Sequence, residues 1–343
     1  MRTTVGSVCS GYGGLEMALA QVMDVDVRWH AEVDPDASKV LKTWWPEVPN
    51  LGDFTVPGWA PERVDVECGG VPCQGFSAAG RQLGAADPRH LWPDWRRGIA
   101  ERRPATVVFE NVANLTRGKM RPIFDSIITD LLDVGYDVRW CLLGACAVGA
   151  AHHRHRVFLL ACRSRTTPNA AEVKVRTCGA KGMPTHAEGG PAVLPTPSAS
   201  TYSSNRGGSE GRIGPVRHSL DALARLELLP TPRHSDAKNG GPNQGIASGD
   251  IALSSAVQPE RWGQYAAAIA RHEAVLGRPA PEPTEVGPHG GRRLAAAFSE
   301  WLMMLPEGHL TSVLARNPAL ARAGNGVVPL QAATAIRLLH EAF

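Results

Sequence analysis

Residues 69–77 read GGVPCQGFS, a cysteine between proline and glutamine with glycines on both sides. Glycine leaves backbone that a ligand can approach closely. VDVEC (64–68), just before, reads as a strand. Cys73 then stands on the loop beyond a strand's C-terminal end, where open α/β sheets bind their ligands. A thiol there can act as a nucleophile. The other reading is an inert buried cysteine, which suits Cys141, Cys146 and Cys162 better. VVFENV (107–112) runs a second strand into Glu110 and Asn111, and a carboxyl at a strand end can exchange a proton in a cleft. In HHRHRVFLLA (152–161), Arg154 and Arg156 alternate, which predicts that they share one face of a strand. Such a pair holds an anion or a carboxylate, or forms a solvated basic edge.

Three other stretches concern a bound cofactor. SGYGG (10–14) lies between a strand and a helix, and Gly11, Gly13 and Gly14 fit either a tight structural turn or a phosphate- or nucleoside-binding loop. AEVDP (31–35) places Glu32 about twenty residues on, the distance at which a βαβ acid takes ribose hydroxyls. NLGDF (50–54) offers Asp53 for an adenine edge. No His/Cys spacing resembles a metal site.

These residues need a scaffold. Over residues 1–163, the short β-rich runs TTVGSV, VDVEC, TVVF and RVFLLA alternate with the helical patterns LEMALAQV, WRRGIAERR and IFDSIITDLLDVG. That alternation predicts an α/β fold with a Rossmann-like, mostly parallel sheet. Residues 164–290 are rich in Gly, Pro, Ser and Thr and read as an irregular insertion, with one helical pattern in ERWGQYAAAIARHEAVLG. Residues 291–343 return to helical periodicity in AAAFSEWLMMLP and PLQAATAIRLLHEAF. The chain has 343 residues, and a net charge of +3 permits nucleic acid without demanding it. Seven cysteines without a CxxC pair suit a reducing, cytoplasmic compartment. The start lacks a signal peptide's apolar run, and no stretch suits a membrane helix.

Taken in order, these motifs resemble the C5-cytosine DNA methyltransferase family. SGYGG resembles its first cofactor motif and EVDP its second; GGVPCQGFS resembles its Pro-Cys loop, FENV its Glu-Asn-Val motif and HHRHR its Gln-x-Arg-x-Arg motif. GRRLAAAFSEWLMMLP and AGNGVVPLQAATAIRLL resemble its last two motifs, and the likeness spans 1–163 and 291–343. The resemblance implies an S-adenosylmethionine-dependent catalytic domain made of those two segments, with 164–290 as the target-recognition domain. It implies methyl transfer to C5 of a cytosine flipped out of double-stranded DNA. The catalytic residues would be Cys73, Glu110, Arg154 and Arg156. Cys9, Gly11, Tyr12, Gly13, Gly14, Glu32, Val33, Asp53, Gly70, Pro72, Leu91, Asn325 and Gly326 would meet the cofactor. Gln74, Ser77, Arg81, Arg89 and Arg233 would meet DNA, with Arg206, Arg212, Asn239 and Asn243 as further base-reading candidates.

The chain departs from the family pattern at Cys9, where the family usually has Phe, and at His152, where it has Gln. The resemblance also implies a monomer of bacterial or phage origin, with a restriction endonuclease as a possible functional partner. A transfer-RNA cytosine-C5 methyltransferase and a non-catalytic DNA-binding relative stay as alternatives. A dinucleotide oxidoreductase would need the full GxGxxG and would leave GVPCQGFS without a role.

Overall fold

A computed structural model describes residues 2–72, 91–174, 232, 234, 265–288, 290 and 292–343. Its centre is a seven-stranded sheet: β1 (Thr3–Val8), β2 (Val25–Ala31), β3 (Val66–Gly69), β4 (Thr106–Val112), β5 (Tyr136–Gly144), β6 (His155–Arg163) and β7 (Ala170–Glu172). The strand order is β2-β1-β3-β4-β6-β5-β7. Only β6 runs against the others, antiparallel to both β4 and β5. The chain leaves β1 toward β2 on one side and returns as β3 on the other. That reversal opens a crevice at the C-terminal strand ends.

Helices cover both faces. Helix α1 (Gly14–Ala20) and the last helix, α8 (Pro329–His340), share a core with Val5, Cys68, Val108, Phe158 and Leu160. Small residues let α8 lie close, since Ala332, Ala333 and Ala335 are all fully buried. Helices α3 (Trp92–Arg102) and α4 (Arg121–Asp133) cover the other face through Trp95, Ile99, Phe124, Ile127 and Leu131. Asp34 caps α2 (Pro35–Trp44), accepting from the N–H groups of Asp36 and Ala37, with Pro35 in the first turn.

A further core joins α5 (Ala266–Leu276), α6 (Ala296–Leu302) and α7 (Arg316–Asn325). Tyr265, Ala268 and Ile269 pack there with Ala150, Ala151, Phe298 and Trp301. Packing therefore does not respect a boundary at residue 290: α5 is joined to the sheet's own loop at 145–151. Strands β8 (Thr284–Val286) and β9 (Arg292–Leu294) form a separate antiparallel pair.

Glu67 of β3 is buried under α3. Arg102 grips it with two bonds, Nε to Oε1 at 2.6 Å and Nη2 to Oε2 at 2.9 Å, and Trp95 Nε1–H donates to Oε2 at 3.2 Å. The guanidinium also lies over the rings of Trp29 and Trp59. This pair anchors β3 two residues before the glycines that lead to Cys73. Arg102→Ala leaves Glu67 charged and unpaired, so we expect a loss of about 3–5 kcal/mol in urea unfolding. A loss below about 1 kcal/mol would show that the pair does not anchor β3.

Candidate active site

Glu110 sits near the C-terminal end of β4 and is buried. Its Oε1 is 3.0 Å from Arg156 Nε. Burial raises its pKa above the ordinary carboxylate range, opposed by Arg156 first and then Arg154. The carboxyl is thus disposed to hold a proton and to give it up at little cost. It faces Gly70, where a Cβ would stand 3.2 Å from Glu110 Oε2, so a side chain at Gly70 would crowd the carboxyl. Asn111 Nδ2–H donates to Val71 O at 2.8 Å. That bond joins the end of β4 to the segment passing through Pro72 toward Cys73.

The two arginines do not share a face. Strand β6 begins at His155, and Arg154 before it has φ +32°, a left-handed backbone that rotates its side chain away from the strand's alternation. Arg156 turns to Glu110. Arg154, buried to 3% exposure, donates from Nη2 to Gly324 O at 3.1 Å and to Gly326 O, and from Nη1 to Pro232 O at 3.4 Å. Burial lowers its pKa to about 9. Arg154 is therefore a clamp on the 324–326 turn.

The glycine loop leads into a cradle. Gly11 and Gly13 have φ +59° and +85°, which only glycine adopts without strain. Gly11 N–H donates to Glu32 Oε2 at 2.8 Å, and Asp34 N–H donates to Oε1 at 2.8 Å. Cys9 and Leu91 both pack against the core that contains Phe54. The Cys9 thiol is pushed up to about 12 by burial and then by Glu32 and Asp53, so these two carboxylates converge on it. Asp53 Oδ1 is braced by Thr55 N–H at 2.9 Å and Thr55 Oγ1 at 2.7 Å. Val33, beside Glu32, is 68% exposed. Glu32 and Asp53 thus both stand beside Cys9, at the C-terminal ends of β1 and β2.

Tyr12 turns to the C-terminal segment. Its ring is buried, occupies the space a Cβ of Gly326 would need (1.8 Å), and sends its hydroxyl to Val327 O at 2.5 Å. Tyr12 thereby fastens the glycine loop to the C-terminal segment, and Gly14 lies against Val327 in the same way. Asn325 ends α7, with its Nδ2 3.5 Å from His234 Nδ1. Cys73, Gln74, Ser77, Arg81, Arg89 and Arg233, with Arg206, Arg212, Asn239 and Asn243, lie outside the described residues.

Three comparisons bear on this arrangement. The model of the C-5 cytosine-specific DNA methylase family matches residues 3–192. The chain belongs to this family. Type II methyltransferase M.HgiBI of Herpetosiphon aurantiacus is 37% identical over 164 residues, 47% of this chain and 37% of that protein. Type II methyltransferase M.NgoMIV of Neisseria gonorrhoeae is 32% identical over 169 residues, 49% of this chain and 54% of that protein. The chain thus spans about a third to a half of the curated relatives it matches. The Schizosaccharomyces pombe Dnmt2 methyltransferase structure has TM-score 0.57 at 15% identity, covering 99% of both chains. The Entamoeba histolytica methyltransferase EhMeth has TM-score 0.56 at 12% identity, covering 100% of this chain and 99% of that one. These two show the same fold.

This DNA methylase family member uses histidines to hold its arginine loop. His152 Nε2–H donates to Leu302 O at 2.8 Å. The next carbonyl, Trp301 O, accepts from His272 Nε2–H at 2.9 Å, and His272 Nδ1 accepts from Ala151 N–H at 3.0 Å. Residues 151 and 152 thus engage the last carbonyls of α6, one directly and one through α5. The pattern of side chains along the sequence pointed to His152 but not to His272, because only tertiary packing brings α5 to the loop. The Arg322–Asp34 ion pair, 2.8 Å, was likewise not singled out from sequence. The Asp-Pro pair at a helix start was the available signal for Asp34.

Burial is the main cause that lowers both histidines, His272 to about 4 and His152 well below the ordinary imidazole value. Folded, both rings are neutral; unfolded, they titrate near 6.5, so the unfolded chain binds more protons between about pH 4 and 6.5. The stability from these contacts is complete above that range and is lost as pH falls through it. We expect His272 alone to cost about 2 kcal/mol between pH 7.5 and pH 5. Urea unfolding of wild type and His272→Gln at both values checks this: the variant should show the shallower pH slope, and equal slopes would contradict it.

Proposed function

We propose that this protein transfers a methyl group from S-adenosylmethionine to C5 of cytosine in a specific double-stranded DNA sequence. The observation that supports it best is the buried Glu110–Arg156 pair facing Gly70, tied by Asn111 to the strand exit that leads into Pro72 and Cys73. A carboxyl with a raised pKa beside a guanidinium suits a site that must protonate a ring nitrogen and then release the proton.

The cradle of Gly11, Gly13, Glu32 and Asp53, with Cys9, Val33, Phe54 and Leu91 as its apolar wall, would hold the cofactor. When bound, that group supplies an electrophilic methyl and retains the C–S electron pair as a neutral thioether. Cys73 thiolate adds to C6 of the cytosine, and the C5–C6 π pair becomes available at C5. Glu110 donates a proton at N3, which removes the negative charge the addition builds in the ring. Arg156 holds Glu110 in place and lies where it can brace the ring's O2. After C5 takes the methyl, a base removes the C5 proton, the C6–S bond breaks and Cys73 is restored, while Glu110 recovers its proton from N3. The target carbon is inaccessible in stacked duplex, so the base must leave the helix.

The role of Arg154 differs from that of Arg156. By clamping the 324–326 turn it keeps the C-terminal segment against the glycine loop, and so supports the cofactor side. Gln74, Ser77, Arg81, Arg89 and Arg233 are assigned to DNA contact, and residues 164–290 to target recognition up to α5, which packs on the catalytic body. The type II names of the relatives suit a modification role beside a restriction endonuclease in a bacterial or phage-infected cytoplasm.

Cys73→Ser should lower methyl transfer to cytosine-containing DNA by at least about three orders of magnitude while DNA binding persists. Glu110→Gln should lower it by roughly 10²–10⁴-fold. Wild-type protein given cofactor and 5-fluorocytosine DNA should form a covalent adduct that Cys73→Ser cannot form. Full activity in Cys73→Ser, or no adduct in wild type, would end this mechanism.

A further inference from the structure

The glycine loop, Ser10 to Gly14, is held at its middle by a residue far away in the chain. Gly11 and Gly13 have φ +59° and +85°. Glycine enters this backbone region freely and leaves it as freely, so the peptide groups around these residues turn easily unless they are held. The peptide group joining Tyr12 to Gly13 is held at both ends. Its N–H, on Gly13, donates to Ser10 O at 3.0 Å. Its oxygen, Tyr12 O, lies 2.9 Å from His309 Nε2. A carbonyl oxygen can only accept, so Nε2 carries a proton and donates it. The first bond lies within the loop; the second crosses 297 residues of sequence.

His309 is itself fixed. It is 3% exposed and belongs to the loop between α6 and α7. Glu300 of α6 clasps that loop: Oε1 accepts from Gly308 N–H at 2.7 Å, and Oε2 from Leu310 N–H at 2.6 Å and Thr311 N–H at 2.9 Å. His309 is the residue those bonds straddle. Trp44, at the end of α2, stacks on the imidazole with ring centroids 5.3 Å and planes 9° apart, and its Nε1–H donates to His309 O at 2.8 Å. Trp45 meets the imidazole edge-on at 6.4 Å and also lies under Gly13, where a Cβ would stand 2.4 Å from its ring. The imidazole thus has its backbone clasped, its ring stacked and one proton aimed at the glycine loop. The reaction above uses none of these groups.

We propose that His309 is a positioning residue for the cofactor: its Nε2–H sets the Tyr12–Gly13 peptide group, so that the glycine loop is ordered before a ligand arrives. The inference rests on the S-adenosylmethionine reading, in which this loop meets the cofactor. A loop ordered beforehand loses less conformational freedom on binding. The gain is common to cofactor and thioether product, since both meet the same backbone. His309 touches no reacting atom in this role.

The test compares His309→Gln, which keeps an N–H for Tyr12 O, with His309→Phe, which keeps a ring against Trp44 and removes the donor. Calorimetry on the full chain reads binding of S-adenosylmethionine and S-adenosylhomocysteine. His309→Phe should weaken both about tenfold, and His309→Gln by less than about threefold. In methyl transfer to DNA, His309→Phe should raise KM for the cofactor about tenfold and change kcat by less than about threefold. Wild-type affinity in His309→Phe, equal weakening in the two variants, or a loss confined to kcat overturns the proposal. So does loss of fold in His309→Phe by circular dichroism, since His309 would then serve only the fold. If wild type binds neither ligand, it is the cofactor reading itself that fails.

Discussion

A guanidinium sealed from water must find acceptors within the protein, and Arg154 finds them on carbonyls at the far end of the chain. Its bonds to Gly324 O and Gly326 O close a gap of more than 170 residues. Gln331 adds to the closure, donating from Nε2 to Leu143 O and to Arg154 O, each at 2.8 Å. Tyr12 continues it, filling the space beside Gly326 and bonding Val327 O. The surroundings of the glycine loop are thus built from both ends of the chain. The glycine loop has its shape because the C-terminal turn is pinned beside it. The left-handed backbone at Arg154 is the local strain that lets one arginine face this turn while its neighbour faces Glu110.

The buried acids follow a related logic. Glu67 is fully compensated by a two-point arginine and serves the fold. Glu110 is compensated by a single contact with Arg156 and keeps a raised pKa, which is what a proton-exchanging group requires. Glu300 is answered by backbone N–H groups at the loop after α6. Glu16 is met by Ser7 Oγ and His30 Nδ1.

Much was legible without coordinates. The strands TTVGSV, TVVF and RVFLLA stand out by their apolar β-branched runs, and helices α1, α3, α4, α6 and α8 by periodicity. Strand VDVEC begins two residues later than its hydrophobic pattern indicates, because Asp65 instead accepts from Thr4. Strands β2 and β5 escaped notice because charged residues interrupt them, Arg28 in VDVRWHA and Arg139 in YDVRWCLLG. Helix α7, whose Pro318 sits in its first turn, escaped because its composition is polar and weakly periodic.

For function, the sequence by itself carried the proposed reacting groups and their order. Side-chain chemistry at Cys73, Glu110 and the glycine loop is local, and the motifs carry it in short runs. The tertiary structure alone decided which groups face each other. It separated Arg154 from Arg156, because a left-handed residue breaks the two-residue alternation on which the shared face depended. It seated the Tyr12 ring beside Gly326, because a glycine more than 300 residues away leaves room for the ring. It also brought His272 to the arginine loop and Glu16 to Ser7 and His30. Those contacts depend on packing between distant elements, which residue spacing does not record.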